Sequence, residues 1–253
     1  MKTVRIWTPE SNTDSKFAKI IADKIIKFYK EEDLKLKEPK LEDVSVIVLG
    51  KSNYNDVFRK DDGLLKAVTN LLKQCDFVIF LLDFDGIQSH AQRRNEPNSH
   101  INKIESVINR IPEKTKLLYM CQELEAWPLI DCLGVCCYFK NADIREDGDW
   151  IKFSKKSQSG KTDLITEAER GGNNAKEYLV NFSRKVIKRI NPDVKPKDID
   201  QKEYTENTSD RVAEFVYINQ ETINRNDSLK KFSLLLCEIA KKAEGKPQRV
   251  MEK

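Results

Sequence analysis

The sequence predicts an α/β protein with a mainly parallel sheet flanked by helices. Two observations indicate this fold. Short apolar segments alternate with amphipathic segments over the first ~130 residues, which is the order of repeated strand–helix–strand units. The run Phe77–Leu82 contains no polar residue, as expected of a strand that is buried on both faces of a parallel sheet.

The first elements follow from the spacing of apolar residues. Val4–Trp7 is predicted as the first strand. A polar turn at Glu10–Asp14 then leads into a helix ending near Tyr29, because apolar residues recur there at intervals of three and four. The second strand is predicted at Val44–Leu49, since Gly50 ends that apolar segment.

The same two patterns continue toward the middle of the chain. They predict a helix at Leu64–Leu72 and the third strand at Phe77–Leu82. A further helix spans about 101–111 and is stopped by Pro112. The fourth strand is predicted at Lys116–Cys121, which completes the alternation of strand and helix.

Beyond this α/β core, which we place at residues 1–135, the pattern loosens. Residues 136–172 are rich in Lys, Asp, Ser and Gly and are predicted to be a loop-rich excursion. A helical C-terminal part is predicted over 173–245 and a flexible tail over 246–253. Three amphipathic segments account for the helical part, near 174–190, 208–224 and 227–243.

Composition limits the partners that the chain could have. The formal net charge of +4, from 45 basic and 41 acidic residues, is too small for nucleic-acid binding through bulk charge. Any such binding requires local basic clusters. No apolar run approaches the ~18–20 residues of a membrane span, and the first residues lack the apolar segment of a signal peptide. The expected location is therefore cytoplasmic, with no membrane partner.

Acidic residues follow three of the predicted strands. Asp83 and Asp85 lie two apart at the end of the third strand, so their side chains leave the same face. At about 6–7 Å and an effective dielectric near 20 they repel by roughly 2–3 kcal/mol, which a cation would relieve. Glu10 follows the first strand and Glu125 the fourth. Because the carboxyl ends of parallel strands share one edge, we expect a site for Mg²⁺ or Mn²⁺ there.

These residues resemble the Toprim family. A glutamate after the first strand and a later DxD motif after an apolar strand are typical of that domain. The resemblance is closer to small bacterial Toprim-like proteins, of the overcoming-lysogenization-defect type, that carry E-G-x-T-E, D-x-D and E-x-E-A-W-L-x-A-D. The corresponding segments of this chain are Glu10–Asp14, Asp83–Asp85 and Glu123–Asp131.

The resemblance implies a metal-dependent nuclease acting on DNA or RNA, in anti-phage defence and beside a partner ATPase. It implies that Glu10 is a general acid/base or a metal ligand, that Asp83 and Asp85 hold the metal, and that Glu125 is an auxiliary ligand. Lys176 fits a lysine that the group carries before a C-terminal helix. The oligomeric state, including a homo-oligomer, stays open.

The chain departs from the group's pattern at three positions. Ser11 stands where glycine is usual, and Pro128 follows the tryptophan. Glu206 stands where a lysine is expected in the turn that begins at Tyr204. A basic contact with the substrate is therefore not expected from that turn.

Two other functions compete with the nuclease. Asp83-Phe-Asp85-Gly also matches the first motif of haloacid-dehalogenase-like phosphatases, in which the first aspartate is the nucleophile. The second alternative is a non-catalytic Toprim-like regulatory subunit. Arg93 and Arg94, just past the DxD, are candidates for contact with substrate phosphates.

Overall fold

The structure is a computed structural model, and it describes most of the chain. The described ranges are 1–9, 12–32, 36–44, 57–58, 62–84, 95–96, 99–121, 123–158 and 175–241. Four of the predicted site residues, Glu10, Asp85, Arg93 and Arg94, lie outside these ranges.

The strands that the structure describes form one parallel sheet. In chain order they are β1 (Thr3–Trp7), β2 (Lys40–Asp43), β3 (Phe77–Phe84) and β4 (Thr115–Cys121). Their order across the sheet is β2-β1-β3-β4, and each neighbouring pair is parallel. The predicted α/β fold with a parallel sheet flanked by helices is therefore confirmed.

Helices make up most of the rest of the described chain. They are α1 (Asn12–Glu32), α2 (Gly63–Leu71), α3 (His100–Arg110), α4 (Cys132–Lys140), α5 (Gly148–Gln158), α6 (Ala175–Ile190), α7 (Pro196–Asp200), α8 (Ser209–Phe215), α9 (Gln220–Asn224) and α10 (Asp227–Lys241). Short 3-10 helices occur at Leu124–Ala126, Pro128–Asp131 and Glu206–Thr208. Within the described ranges, no helix is both long and apolar enough to cross a membrane.

The two faces of the sheet are covered by different helices. Alternate residues of a strand point to opposite faces, so Ile79 and Leu81 of β3 share one core with α1 and α10. Val78, Phe80 and Leu82 point to the other face and share a core with α2 and α3. Burial on both faces explains the unbroken apolar run that β3 shows in the sequence.

The second strand starts earlier than predicted. β2 spans Lys40–Asp43, and its register pairs Lys40 with Thr3 of β1. Its charged residues are compatible with an edge strand, because Glu42 forms a salt bridge to Arg5 of β1 while Leu41 is buried. The Val44 amide continues the pairing by donating to the Ile6 carbonyl at 3.0 Å. Residues 45–49 of the predicted strand lie outside the described ranges.

The prediction of a loop-rich excursion over 136–172 is wrong for its first part. α4 and α5 occupy much of 132–158, and residues 159–174 lie outside the described ranges. Val135, Cys136 and Trp150 are buried with residues of α6 in a third apolar cluster. Part of the polar composition that suggested a loop belongs to solvent-facing residues of α5, such as Lys152 and Lys155. The proposed domain boundary at 135 falls inside α4.

The predicted C-terminal helices are present with one correction. α6 and α10 match the predicted segments 174–190 and 227–243 closely. The segment 208–224 is two short helices, α8 and α9, separated by an extended stretch that begins at Val216. This part is not a separate layer, because α10 packs in the same core as α1 and the sheet.

Candidate functional site

The strand order places a crevice at the carboxyl edge between β1 and β3. After β1 the chain moves outward to β2, and it then returns to the other side of β1 to form β3. The order of strands reverses at this point, which is where open α/β sheets place their ligands. The carboxyl ends of β1, β3 and β4 therefore lie at one edge of the sheet.

Asp83 lies at this edge, near the end of the central strand β3. Its Cα pairs with that of Met120 on β4. It shares a face with Ile79 and Leu81, so its side chain is on the α1 and α10 side of the sheet. One of its carboxylate oxygens is shielded from solvent. The neighbouring Phe84 is 41% exposed and packs edge-on against Tyr119, on the opposite face.

Two buried hydroxyl groups, of Thr8 and Ser15, connect the end of β1 to the start of α1. The Thr8 amide donates to the Ser15 Oγ at 2.9 Å, and the two hydroxyl oxygens are 2.8 Å apart. These contacts hold the end of β1 against the first turn of α1. Asp14 stands in that first turn of α1, where the helix dipole favours a negative charge.

Glu123, two residues beyond β4, contacts the start of a distant helix. Its Oε2 accepts a hydrogen bond of 2.8 Å from the backbone amide of Lys176, in the first turn of α6. The first amides of a helix lack partners within the helix, so this carboxylate acts as a cap from another part of the chain. The contact brings the N-terminus of α6 to the carboxyl edge of the sheet.

Glu125 is the buried carboxyl group of the site. It lies in the 3-10 helix Leu124–Ala126 and is 8% exposed. Its pKa is raised to about 8, mainly by burial and then by the nearby negative charges of Asp14 and Glu123, against an opposing effect of Lys176. We call Asp14, Glu123 and Glu125 the carboxylate cluster. At neutral pH most Glu125 side chains in this arrangement carry a proton.

Two groups from the C-terminal part border the carboxylate cluster. The Lys176 ammonium forms a salt bridge with Glu206, which raises the Lys176 pKa together with the charges of Glu125 and Glu123. Tyr204 is 2% exposed. Its pKa is raised well above the usual value, mainly by burial and then by the charges of Glu125 and Asp14.

The structure therefore brings together some of the predicted site residues. Lys176 lies beside Glu125. Asp83 lies near the carboxyl end of β3, the strand that pairs with β4, and Glu125 comes four residues after β4. Lys176 was predicted to contact substrate, and the structure pairs it with Glu206, the residue that replaces the expected lysine. Glu10, Asp85, Arg93 and Arg94 lie outside the described ranges, so their predicted roles stay predictions.

The donor chemistry of the edge fits a hard divalent cation. Asp83 and the carboxylate cluster offer only oxygen ligands, which suit Mg²⁺ or Mn²⁺ rather than softer metals. Among the described residues, however, no group of three or more side chains is arranged to hold a metal ion. A complete site on this edge would depend on Glu10 and Asp85.

Three residues of this region had no role in the sequence prediction. Asp14 was part of the first motif, four residues after Glu10, but its approach to Glu125 was not foreseen. Glu123 was noted without its contact to α6, and Tyr204 without its burial beside the cluster. The spacing of the motif that begins at Glu10 was the one sequence signal that could have pointed to Asp14. The contacts of Glu123 and Tyr204 join residues far apart in the chain, so no local spacing indicates them.

No protein-family model matches the chain, and no curated protein or solved structure matches it either.

Proposed function

We propose that the chain is a metal-dependent nuclease that hydrolyses phosphodiester bonds of DNA or RNA. The observation that carries the proposal is the position of Asp83, at the carboxyl end of a central parallel strand, on the edge that also holds the carboxylate cluster. Such an edge concentrates negative charge where α/β proteins bind ligands. A divalent cation would relieve that charge and would attract a phosphodiester.

The residues of the chain have distinct parts in this proposal. A bound Mg²⁺ or Mn²⁺ would neutralise charge on the phosphodiester and lower the pKa of an attacking water. Asp83, with the predicted Asp85 and Glu10, would supply its carboxylate ligands. Glu125 holds a proton near neutral pH and is thus able to serve as an acid or, once deprotonated, as a further ligand. The predicted role of Glu10 as general acid/base belongs to the same proposal.

The test is cleavage by the purified chain of plasmid DNA, single-stranded DNA and tRNA, with and without Mg²⁺ or Mn²⁺. We expect metal-dependent cleavage of at least one nucleic acid. Asp83→Asn should reduce its rate by about 10²–10³-fold, as for the removal of one electrostatic contact to a transition state. The matched control is Asp76→Asn, at the other end of the same strand, where Asp76 accepts a hydrogen bond from the Thr3 amide that asparagine can also accept.

Two outcomes would contradict the proposal. Cleavage that is equal in Asp83→Asn and Asp76→Asn would remove Asp83 from the site. Release of nitrophenol from para-nitrophenyl phosphate without cleavage of nucleic acid would favour the phosphatase alternative, in which Asp83 is the nucleophile.

The cellular part of the proposal rests on the Toprim resemblance. We propose that the nuclease acts in anti-phage defence in the cytoplasm and works with a partner ATPase. Bacteria that express the wild-type chain or Glu10→Gln, with and without phage and the candidate ATPase, provide the comparison. Equal growth and equal phage protection in the two strains would leave the chain without this role.

A further inference from the structure

A second ligand-sized feature lies away from the carboxylate cluster, on the helical C-terminal part. A cavity of about 500 Å³ is lined by residues of α6 and α7. This volume is within the range of roughly 300–1,000 Å³ that is common for ligand sites. The proposed nuclease reaction uses none of the residues that line this cavity.

Cationic side chains dominate the charged lining. Lys185 and Lys188 are exposed residues of α6 that lie one helical turn apart. Among the described residues, neither makes an ion pair. Arg184 also lines the cavity, but it already forms salt bridges to Asp200 and Glu203. The two lysines therefore keep their charge available for an anionic ligand.

The lining also contains an ordered aromatic surface. Tyr178 is half-buried, and its ring is parallel to that of Phe182 within 1°, with centroids 6.5 Å apart. Phe182 is in turn stacked on Phe153 at 6.0 Å. This packing fixes the Tyr178 ring at the cavity wall. A fixed aromatic ring beside unpaired cations is the combination by which proteins bind single-stranded nucleic acid, through stacked bases and phosphate contacts.

We propose that this cavity binds a nucleotide segment of a single-stranded nucleic acid, with a base against Tyr178 and phosphates at Lys185 and Lys188. The proposal rests on the proposed nuclease function, since the segment belongs to the substrate. The first turn of α6 contacts Glu123 at the sheet edge. Lys185 is about 14 Å and Lys188 about 18 Å further along the helix axis, from a rise of ~1.5 Å per residue. A strand held at the cavity would thus extend a few nucleotides from the proposed cleavage site.

The experiment measures binding of a short fluorescein-labelled oligothymidylate by fluorescence anisotropy in EDTA, where cleavage cannot occur. The cavity variant is Lys185→Ala/Lys188→Ala. The matched control is Lys195→Ala/Lys197→Ala, two exposed lysines beside or within α7 that do not line the cavity. Each single-strand phosphate contact contributes ~0.7 to the slope of log affinity against log salt. We therefore expect the slope of the cavity variant to fall by ~1.4 and that of the control to stay unchanged.

Three results would overturn the proposal: equal affinity and slope in the cavity variant and the wild type, equal losses in both double variants, or competition by free thymidine monophosphate as effective as by the oligomer. Asp83→Asn separates the two proposals, because it should stop cleavage and preserve binding. Binding that depends on the two lysines, without any cleavage, would refute the nuclease proposal alone. Cleavage together with binding that does not depend on the two lysines would refute the cavity proposal alone.

Discussion

Glu125 is a carboxyl group whose surroundings oppose its ionisation. It is almost fully buried, and the charges of Asp14 and Glu123 lie close enough to raise its pKa further. Holding one acidic group in its neutral form beside two other carboxylates reduces their mutual repulsion. The folded state therefore binds a proton at Glu125 that the unfolded chain releases at much lower pH.

This proton makes stability depend on pH with a definite sign. The folded pKa of about 8 exceeds the ordinary value of 4.5. The stabilisation by the neutral carboxyl group is thus complete below pH 4.5 and is lost as the pH rises toward 8. Without metal, the free energy of unfolding of the wild type should fall by up to about 1.4 kcal/mol per pH unit in this window, compared with that of the Glu125→Gln variant. Urea denaturation of both proteins in EDTA at several pH values measures the difference. Parallel pH profiles would show that Glu125 is ionised in the folded state.

The start of α4 depends on very close packing between elements. Asp131 caps this helix by accepting from the Gly134 amide at 3.1 Å, and it also accepts from the Tyr217 amide at 2.7 Å and from Arg145. The chain after α8 is thereby held against the N-terminus of α4. A Cβ at Gly134 would come within 2.5 Å of the Phe215 carbonyl oxygen and 2.6 Å of the Asp131 carboxylate. Only glycine allows this approach without a shift of the backbone.

Gly134→Ala should therefore destabilise the protein although alanine favours helices. Because the clash involves a backbone oxygen, we expect a loss of about 1–3 kcal/mol, as for other overpacked sites. Gly148→Ala in α5 is the matched control, since a Cβ there meets nothing within 4 Å. It should be neutral or slightly stabilising. Thermal denaturation of the two variants tests this expectation, and equal melting temperatures would contradict it.

At the scale of the whole molecule, the C-terminal helices complete the core of the sheet. Phe232 of α10 is fully buried and stacks on Trp127 with ring centroids 5.3 Å apart. The Trp127 Nε1 also donates a hydrogen bond to Ser228. The same apolar cluster contains Ile79 and Leu81 of β3. α10 and the central strand should therefore unfold together.

Phe232→Ala should lower the free energy of unfolding by about 3–5 kcal/mol, as is common for a large aromatic residue removed from a core. Leu234→Ala on the same helix is the control, because Leu234 is 57% exposed and should cost less than about 0.5 kcal/mol. Amide hydrogen exchange of Phe232→Ala should show a loss of protection in β3 as well as in α10. Loss confined to α10 would mean that the helix is an independent unit.

The sequence predicted those parts of the fold that local patterns determine. β1, β3 and β4 were predictable because each is a short apolar run between polar segments. β2 was not, since Lys40, Glu42 and Asp43 give it no apolar pattern, and its place depends on pairing with β1. At the site, Asp83 and Glu125 could be chosen as candidates from the sequence because each lies close to the end of a predicted strand. Asp14, Glu125 and Tyr204 come from distant segments of the chain, and no local spacing predicts that they lie close together.

The position of α10 has a consequence for how the chain folds during synthesis. α10 packs against α1 and β4, in the same apolar core as Ile79 and Leu81 of β3. The sheet is complete within the first half of the chain, yet α10 begins only 106 residues after β4 ends. At a translation rate of about 5–20 residues per second, roughly 5–21 s separate the synthesis of the end of β4 from that of the start of α10. During that interval the nascent sheet exposes part of its apolar surface, so a molecular chaperone that binds such surfaces should associate with ribosomes carrying the unfinished chain.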